Sequence, residues 1–422
     1  MKGYPLTAAQ INSIAAAGSL RDLDSDILPV TLTAEERVDL RRLTGAVLAI
    51  HRAHPVLRVR VVSDGEALEA RQYIEDCPDE APFRIRHVSA TDATLADAVN
   101  DAFATLASAL HISDGPVWGM AVVSTESQDH LVFAFSHFAG DFSSLVMVLR
   151  NFVRAYQQGD RARLTPDSYV DFLESIPRAA AKEELPAEAR WWLDRPWLDI
   201  PLLPGTEPAR VGAFDVPRRT LVHTTPWDEQ WNARSVERAI VVALLESIHE
   251  VSAAPRGRVD LCRHGRSAPV RRSACGWMSQ AIPHIVEFPQ SGFDASDCAA
   301  QLDETERHEH GWDAALEFMR GHRAPSMPVL WGGAQAFVNY WGGFDPARNA
   351  AGPFSFARVQ PDGSPPRRRR ALKPIELTVH GLGETLRFTW DISDMFQDPE
   401  VPEEIVKRAM YLLQDLPRMV RV

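Results

Sequence analysis

The stretch whose residue types and spacing most suggest chemistry is Phe135-Ser-His-Phe-Ala-Gly-Asp-Phe-Ser-Ser-Leu145. An apolar strand pattern ends at His137, a short turn carries Gly140, and a helical pattern starts near Ser143. A histidine at a strand end can face a cleft, and its ordinary pKa lies near neutrality, so it can work as a base. Asp141 precedes a helix start, where a carboxylate can cap free backbone N–H groups. His-x-x-x-Asp is common by chance, and on local pattern alone the reading as an ordinary turn wins over a catalytic one. His308-Glu-His310 holds two histidines at i, i+2, which do not share a helix face, so no metal site is expected there. There is no Gly-x-Ser-x-Gly elbow, no phosphate loop and no dinucleotide fingerprint. Cys77, Cys262, Cys275 and Cys298 lack Cys-x-x-Cys spacing and read as reduced thiols of a cytosolic protein.

The elements that must position these residues follow from periodicity. Thr33-x-x-Glu36 reads as a capping box opening a helix that runs through Ile50. Leu57 to Val62 alternates like a half-buried strand and stops at Asp64-Gly65. Leu95 to Leu110 reads as a helix. Val117 to Val123 and Leu131 to Phe135 read as paired strands, and Ser143 to Tyr156 as a helix. Residues 199–218, rich in Pro and Gly, form the best linker candidate. Beyond it the mixture repeats, with a helix over Val236 to Ile248 and strands over Arg258 to Cys262, Ala336 to Tyr340 and Leu386 to Trp390. Ile405 to Leu416 is a closing helix, and Ala357 to Arg370 reads as a mobile polar loop. The expected division is an N-terminal lobe over 1–165, a connecting segment over 166–217 and a C-terminal lobe over 218–422.

Composition narrows the class. Of 422 residues, 45% are apolar and 24% charged, and 11 Trp and 18 Phe supply more apolar surface than a disordered chain leaves solvated. The net charge of −12 argues against a general nucleic-acid binder, which needs a basic face. Local arginine runs stand out at Arg263 to Arg272 and Arg367 to Arg370. They read as solvated loops or as a docking surface for an acidic partner. No window approaches a membrane span or a signal peptide, so a cytoplasmic location is expected. Four lysines beside abundant arginine and alanine associate with a GC-rich bacterial genome.

Four segments in order resemble the condensation domains of nonribosomal peptide synthetases. Tyr4-Pro-Leu-Thr-Ala-Ala-Gln10 is similar to the family's Pro-Leu-Thr-x-x-Gln, and His54-Pro-Val-Leu-Arg58 to its His-Pro-x-Leu-Arg. Ser136-His137-x-x-x-Asp141 is similar to the signature His-His-x-x-x-Asp-Gly. Cys275-Gly-Trp-Met-Ser-Gln-Ala-Ile-Pro283 stands where the family has Gly-x-x-x-Asn-x-x-Pro. Weaker echoes are Tyr169-Val-Asp-Phe172 and Phe337-Val-Asn-Tyr340.

The resemblance implies an α/β layered fold of two chloramphenicol-acetyltransferase-like lobes arranged in a V with a tunnel between them. It implies that His137 positions or deprotonates an attacking amine or hydroxyl, or stabilises the tetrahedral intermediate. Asp141 would be structural, paired with an arginine from the other lobe, for which Arg266 is the choice. Phe142, Trp277, Ser279, Asn339 and Tyr340 would line the tunnel. No bound cofactor or metal is implied. An acyl or peptidyl carrier protein would deliver a phosphopantetheine thioester, with coenzyme A as the alternative donor, and a small amine or alcohol would accept the acyl group. No nucleic acid or membrane partner is expected.

The departures bear on function. Ser136 replaces the first histidine, which the resemblance makes mainly structural; serine is tolerable there, being small and still able to hydrogen bond. Phe142 replaces the glycine after Asp141 and would narrow the channel. The leading expectation is a free-standing acyltransferase of natural product biosynthesis, since 422 residues match one condensation unit. The alternative is a degenerate docking protein that recruits other enzymes, which Phe142 or Trp277 filling the space beside His137 would favour. A docking face for an acidic carrier is expected at Arg271 and Arg272 or at Arg367 to Arg370.

Overall fold

The structure is a computed structural model describing residues 2–17, 19–62, 70–77, 83, 85–180, 185–228, 230–266, 271–322, 333–343, 352–362, 370–382 and 384–416. In chain order its elements are β1 (Gly3–Tyr4), α1 (Ala8–Ala16), β2 (Ile27–Ala34), α2 (Leu40–Ala53), β3 (Val59–Val62), β4 (Arg71–Ile74), β5 (Arg86–Ser89), α3 (Leu95–Ala107), β6 (Trp118–Ser124), β7 (Asp129–Ser136) and α4 (Phe142–Gln158). There follow α5 (Tyr169–Ala180), α6 (Ala187–Leu193), β8 (Arg218–Pro226), α7 (Ala233–Ser252), β9 (Arg256–Arg263), β10 (Gln280–Glu287), α8 (Ala295–Arg307) and α9 (Trp312–Gly321). The described chain closes with β11 (Ala336–Gly343), β12 (Phe354–Phe356), β13 (Ile375–Leu382), β14 (Thr385–Ser393) and α10 (Glu400–Leu412).

The chain forms two compact units. The first contains residues 1–176, 264–279 and 346–368. Its five-stranded sheet runs β12-β2-β7-β6-β5, antiparallel except for the β5–β6 pair. Every residue of β7 is buried, because both faces of the strand are covered. Leu131, Phe133 and Phe135 point into one core with Leu145, Leu149 and Phe152 of α4. Val132 and Ala134 point into another with Val99 and Phe103 of α3. This two-residue alternation is what a pleated strand imposes. On α4 the buried Leu145, Val148, Leu149 and Phe152 repeat at helical spacing. At about 1.5–3 kcal/mol per large apolar side chain, that stripe fixes the helix on β7 and so fixes the turn between them.

The second unit contains residues 177–263, 280–345 and 369–422. Its six-stranded sheet runs β10-β9-β11-β13-β14-β8, with β11 parallel to both neighbours. Ile240, Leu244 and Ile248 of α7 share a core with Ile405, Val406 and Ala409 of α10 and with Leu377, Val379, Phe388 and Trp390 of the sheet.

Several expectations need correction. The units are not the contiguous stretches 1–165 and 218–422, because 264–279 and 346–368 pack on the first unit. Residues 166–217 do not act as one connecting segment. Residues 166–176 join the first unit and the rest joins the second. The Pro- and Gly-rich 199–218 is tied down by Glu207 N–H to Met395 O at 2.8 Å and Gly212 N–H to Ala371 O at 2.8 Å. Thr33 does not cap a helix. It lies in β2, where its hydroxyl meets His130 Nδ1 at 3.2 Å, and Asp39 caps α2 instead. A capping box does lie at Thr7 and Gln10, at the start of α1. The loop expected from Ala357 is anchored where it is described, since Gln360 bonds Thr31 N at 2.8 Å and Thr31 O at 3.0 Å. Arg367 to Arg369 lie outside the described residues.

Candidate active site

The site grows from the turn between β7 and α4. The last strand residue, Ser136, accepts the N–H groups of Ala139 at 3.0 Å and Gly140 at 3.3 Å, closing the turn. Gly140 is needed for space rather than for unusual backbone angles. A Cβ there would stand 2.9 Å from the Phe135 ring and 3.1 Å from Ser144 Cβ. His137 donates its backbone N–H to Asp26 O at 2.8 Å, which extends the β2–β7 ladder by one residue. Its ring is half-buried and Nδ1 has no hydrogen-bond partner among the described residues. The Trp277 ring lies against it, with centroids 4.1 Å apart, and Phe138 meets the same indole edge-on at 6.4 Å. The Ser136 hydroxyl leaves its hydrogen-bonding capacity unused: its Oγ is buried with no partner among the described residues. Phe142 opens α4 and packs, half-buried, against the apolar core of the first unit.

Asp141 organises the surroundings. As N-cap of α4 it accepts Ser144 N–H at 2.8 Å, with Ser144 Oγ 2.9 Å from the same carboxylate oxygen. Arg266 forks onto it, Nη1 to Oδ2 at 2.9 Å and Nη2 to Oδ1 at 2.8 Å. Met278 and Ser279 donate their N–H groups to Oδ2 at 3.0 and 2.8 Å. Burial pushes its carboxyl pKa up, but the Arg266 charge and these donors outweigh that and hold it below the usual range. Contrary to expectation, Arg266 does not come from the other unit; 264–279 belongs to the same unit as Asp141. That segment is held further by Ser144, whose Oγ donates to Gly276 O at 2.6 Å and accepts Gly276 N–H at 2.9 Å. Gly276 has no room for a side chain, since a Cβ would lie 2.2 Å from the Tyr169 ring. Asp141 thus fixes the histidine turn and the Trp277 segment with one carboxylate.

His137, Ser136, Gly140, Asp141, Phe142, Arg266, Trp277 and Ser279 therefore all belong to one unit. Asn339 and Tyr340 lie on β11 in the second. Asn339 stands opposite Thr378 in the ladder, and Tyr340 packs half-buried on that unit's core. Burial, with Glu237 nearby, pushes the Tyr340 hydroxyl up to about 12. Arg271 is not a docking residue. It is buried, with its guanidinium over the Phe172 ring at 4.8 Å, whereas Arg272 is exposed.

Sequence reasoning left several residues of the motifs without a role. Arg58 caps the end of α2 by donating to His51 O and, at 3.3 Å, to Arg52 O. His54, Asp167 and Cys275 form a buried cluster whose ligand atoms lie within 4.8 Å of one another. Asn151 Oδ1 accepts Thr165 N–H at 3.1 Å, which orients its amide so that Nδ2 donates to His54 Nε2 at 3.0 Å. His54 Nδ1 then carries the hydrogen and donates to Asp167 Oδ2 at 2.9 Å. Asp167 Oδ1 accepts the N–H groups of Tyr169 and Cys275. Burial pushes the Cys275 thiol well above its ordinary range, with Asp167 adding to the effect. The hydrogen bonds make the cluster a brace between the end of α2 and the Cys275 segment, and burial makes the thiol a poor nucleophile.

Among the described residues no helix is long and apolar enough to cross a membrane. A family described as Condensation domain matches residues 2–221, more than half of the chain. One of the mycosubtilin synthase polypeptides of Bacillus subtilis is 22% identical over 222 residues, 50% of this chain and 8% of that protein. The chain thus spans under a tenth of that relative. The solved starter condensation domain of rhizomide synthetase RzmA is similar over 99% of this chain and 97% of its own, at 16% identity and TM-score 0.70. The complex of the X-domain and OxyB from teicoplanin biosynthesis is similar over 99% of this chain and 94% of its own, at 15% identity and TM-score 0.67.

Proposed function

We propose that this chain, which belongs to the condensation-domain family, transfers an acyl group from a carrier-protein phosphopantetheine thioester to a soluble amine or alcohol. The observation that supports this reading is the placement of His137. It is a half-buried imidazole at a strand end, on a turn locked by the Asp141–Arg266 pair. With Nδ1 buried, Nε2 is the nitrogen left for substrate. In the reaction the acceptor nitrogen or oxygen attacks the thioester carbonyl, Nε2 holds or takes the acceptor's proton, and the C–S bond breaks as the thiolate leaves and is protonated. The thioester is already activated, so the main contribution is the placement of two reactants. The same reading puts the chain in the cytoplasm, where such thioesters are made, and makes nonribosomal peptide or related natural product assembly its setting.

The test mixes the chain with separately prepared acyl-carrier and a panel of amines and alcohols, with acyl-coenzyme A as a parallel donor. Product is expected with the carrier, and His137→Ala should lower its rate by about 100-fold or more. Full activity of that variant overturns the catalytic assignment. Turnover from coenzyme A thioesters alone overturns the donor.

A second reading has its own observation. Trp277 covers one face of His137 and Ser136 has lost the hydrogen-bonding histidine, features expected of a protein that recruits an enzyme to a carrier-bound intermediate. That reading requires carrier binding with no turnover in the wild-type chain. It also requires that Trp277→Ala restore none.

A further inference from the structure

The opening motif has a function that its residue types did not reveal. Gln10 is fully buried at the first turn of α1 and donates Nε2–H to Phe138 O at 3.1 Å. Phe138 directly follows His137, so this bond ties α1 to the interior of the histidine turn. Every other polar atom of the amide is spoken for. Oε1 accepts Thr7 N–H at 2.9 Å and Gln72 Nε2–H at 3.1 Å. Gln72 in turn donates to Pro5 O at 2.6 Å, and its Oε1 accepts Tyr169 Oη–H at 2.6 Å. The ring of Tyr169 fills the space that a side chain at Gly276 would need, next to Trp277. One buried chain of hydrogen bonds therefore supports both walls of His137: the turn through Gln10 and the Trp277 segment through Tyr169.

A fully satisfied buried network holds a single geometry, whereas losing one donor leaves a buried carbonyl unpaired. We infer that Gln10 is a positioning residue for His137, setting where its imidazole stands through the Phe138 carbonyl. The role in turnover rests on the acyl-transfer reading above; the role in placement does not.

Gln10→Glu is the informative variant, because it keeps the shape and the acceptor and removes the donor. As a carboxylate it faces Phe138 O without a proton; protonated at lower pH, it regains an O–H to donate. Gln10→Met and Tyr169→Phe serve as variants without a titrating group. Imidazole C–H signals are read by NMR in the full chain, with His137 assigned from the His137→Ala spectrum and His284 and His380 of the second unit as references. Transfer from acyl-carrier is measured alongside. In Gln10→Met the His137 signal should shift while the references stay, and turnover should fall by about tenfold or more. Gln10→Glu should regain both as pH falls, against the wild-type trend. If Gln10→Met does not fold, Tyr169→Phe should show the same His137 shift in smaller measure. An unmoved His137 signal in the folded variants overturns the inference whatever the activity. A moved signal with unchanged His137-dependent turnover overturns its catalytic part. Absence of His137-dependent turnover in the wild-type chain defeats the acyl-transfer reading and leaves the NMR result to decide placement.

Discussion

Asp141 uses two oxygens to accept five hydrogen bonds, from the N–H groups of Ser144, Met278 and Ser279 and twice from Arg266. Ser136, five residues earlier, makes none with its hydroxyl among the described residues. These two motif residues should therefore respond oppositely to truncation. Arg266→Ala leaves the buried Asp141 charge uncompensated and should cost about 3–5 kcal/mol. Ser136→Ala removes no bond and should change stability by less than about 1 kcal/mol. Urea titration of the two variants checks both. A large loss in Ser136→Ala would mean that its hydroxyl has a partner in solution.

At the scale of elements, the strand β7 and helix α4 were legible because their residues repeat at two and at 3.6. The strand β2 was not, because Thr33 and Glu36 offered a plausible capping box. Apolar Ile27, Val30 and Leu32 nonetheless pair with β7. The histidine turn was legible as a turn, and its counter-charge Arg266 as a residue. The network through Gln10, Gln72 and Tyr169 was not, because hydrogen bonds between residues 62 and 97 positions apart leave no local periodicity. Close packing was equally silent in the sequence. Gly276→Ala would drive a methyl into the Tyr169 ring and should cost about 1–3 kcal/mol. It should also displace Trp277, which loss of quenching or a shift in indole fluorescence would report. An unchanged melting temperature would show that Tyr169 can move aside.

For the whole molecule, acid is the expected weakness. Burial lowers His284 to about 3 and His51 to about 4, so each binds a proton more readily when unfolded. Stability should therefore rise with pH between about 4 and the ordinary histidine value of about 6.5, and flatten above it. His284→Asn should make that slope shallower, measured as unfolding free energy against pH. An unchanged slope would exclude His284 as a contributor. On the proposed reading, a net charge of −12 requires that an acidic carrier be captured through local cations. Arg272→Glu should weaken carrier use and spare small thioester mimics, whereas Arg271→Glu should destabilise the fold, since Arg271 is buried.

The return of residues 264–279 to the first unit also sets a timetable for birth of the site. Asp141 leaves the ribosome 125 residues ahead of Arg266. At about 5–20 residues per second, that interval is on the order of 10 s. Throughout it Asp141 lacks its Arg266 partner, and β7 and α4 can dock before that pair locks their connecting turn. The histidine turn can be completed only after β8, α7 and β9 of the second unit have been made, so the order of synthesis opposes the order of assembly.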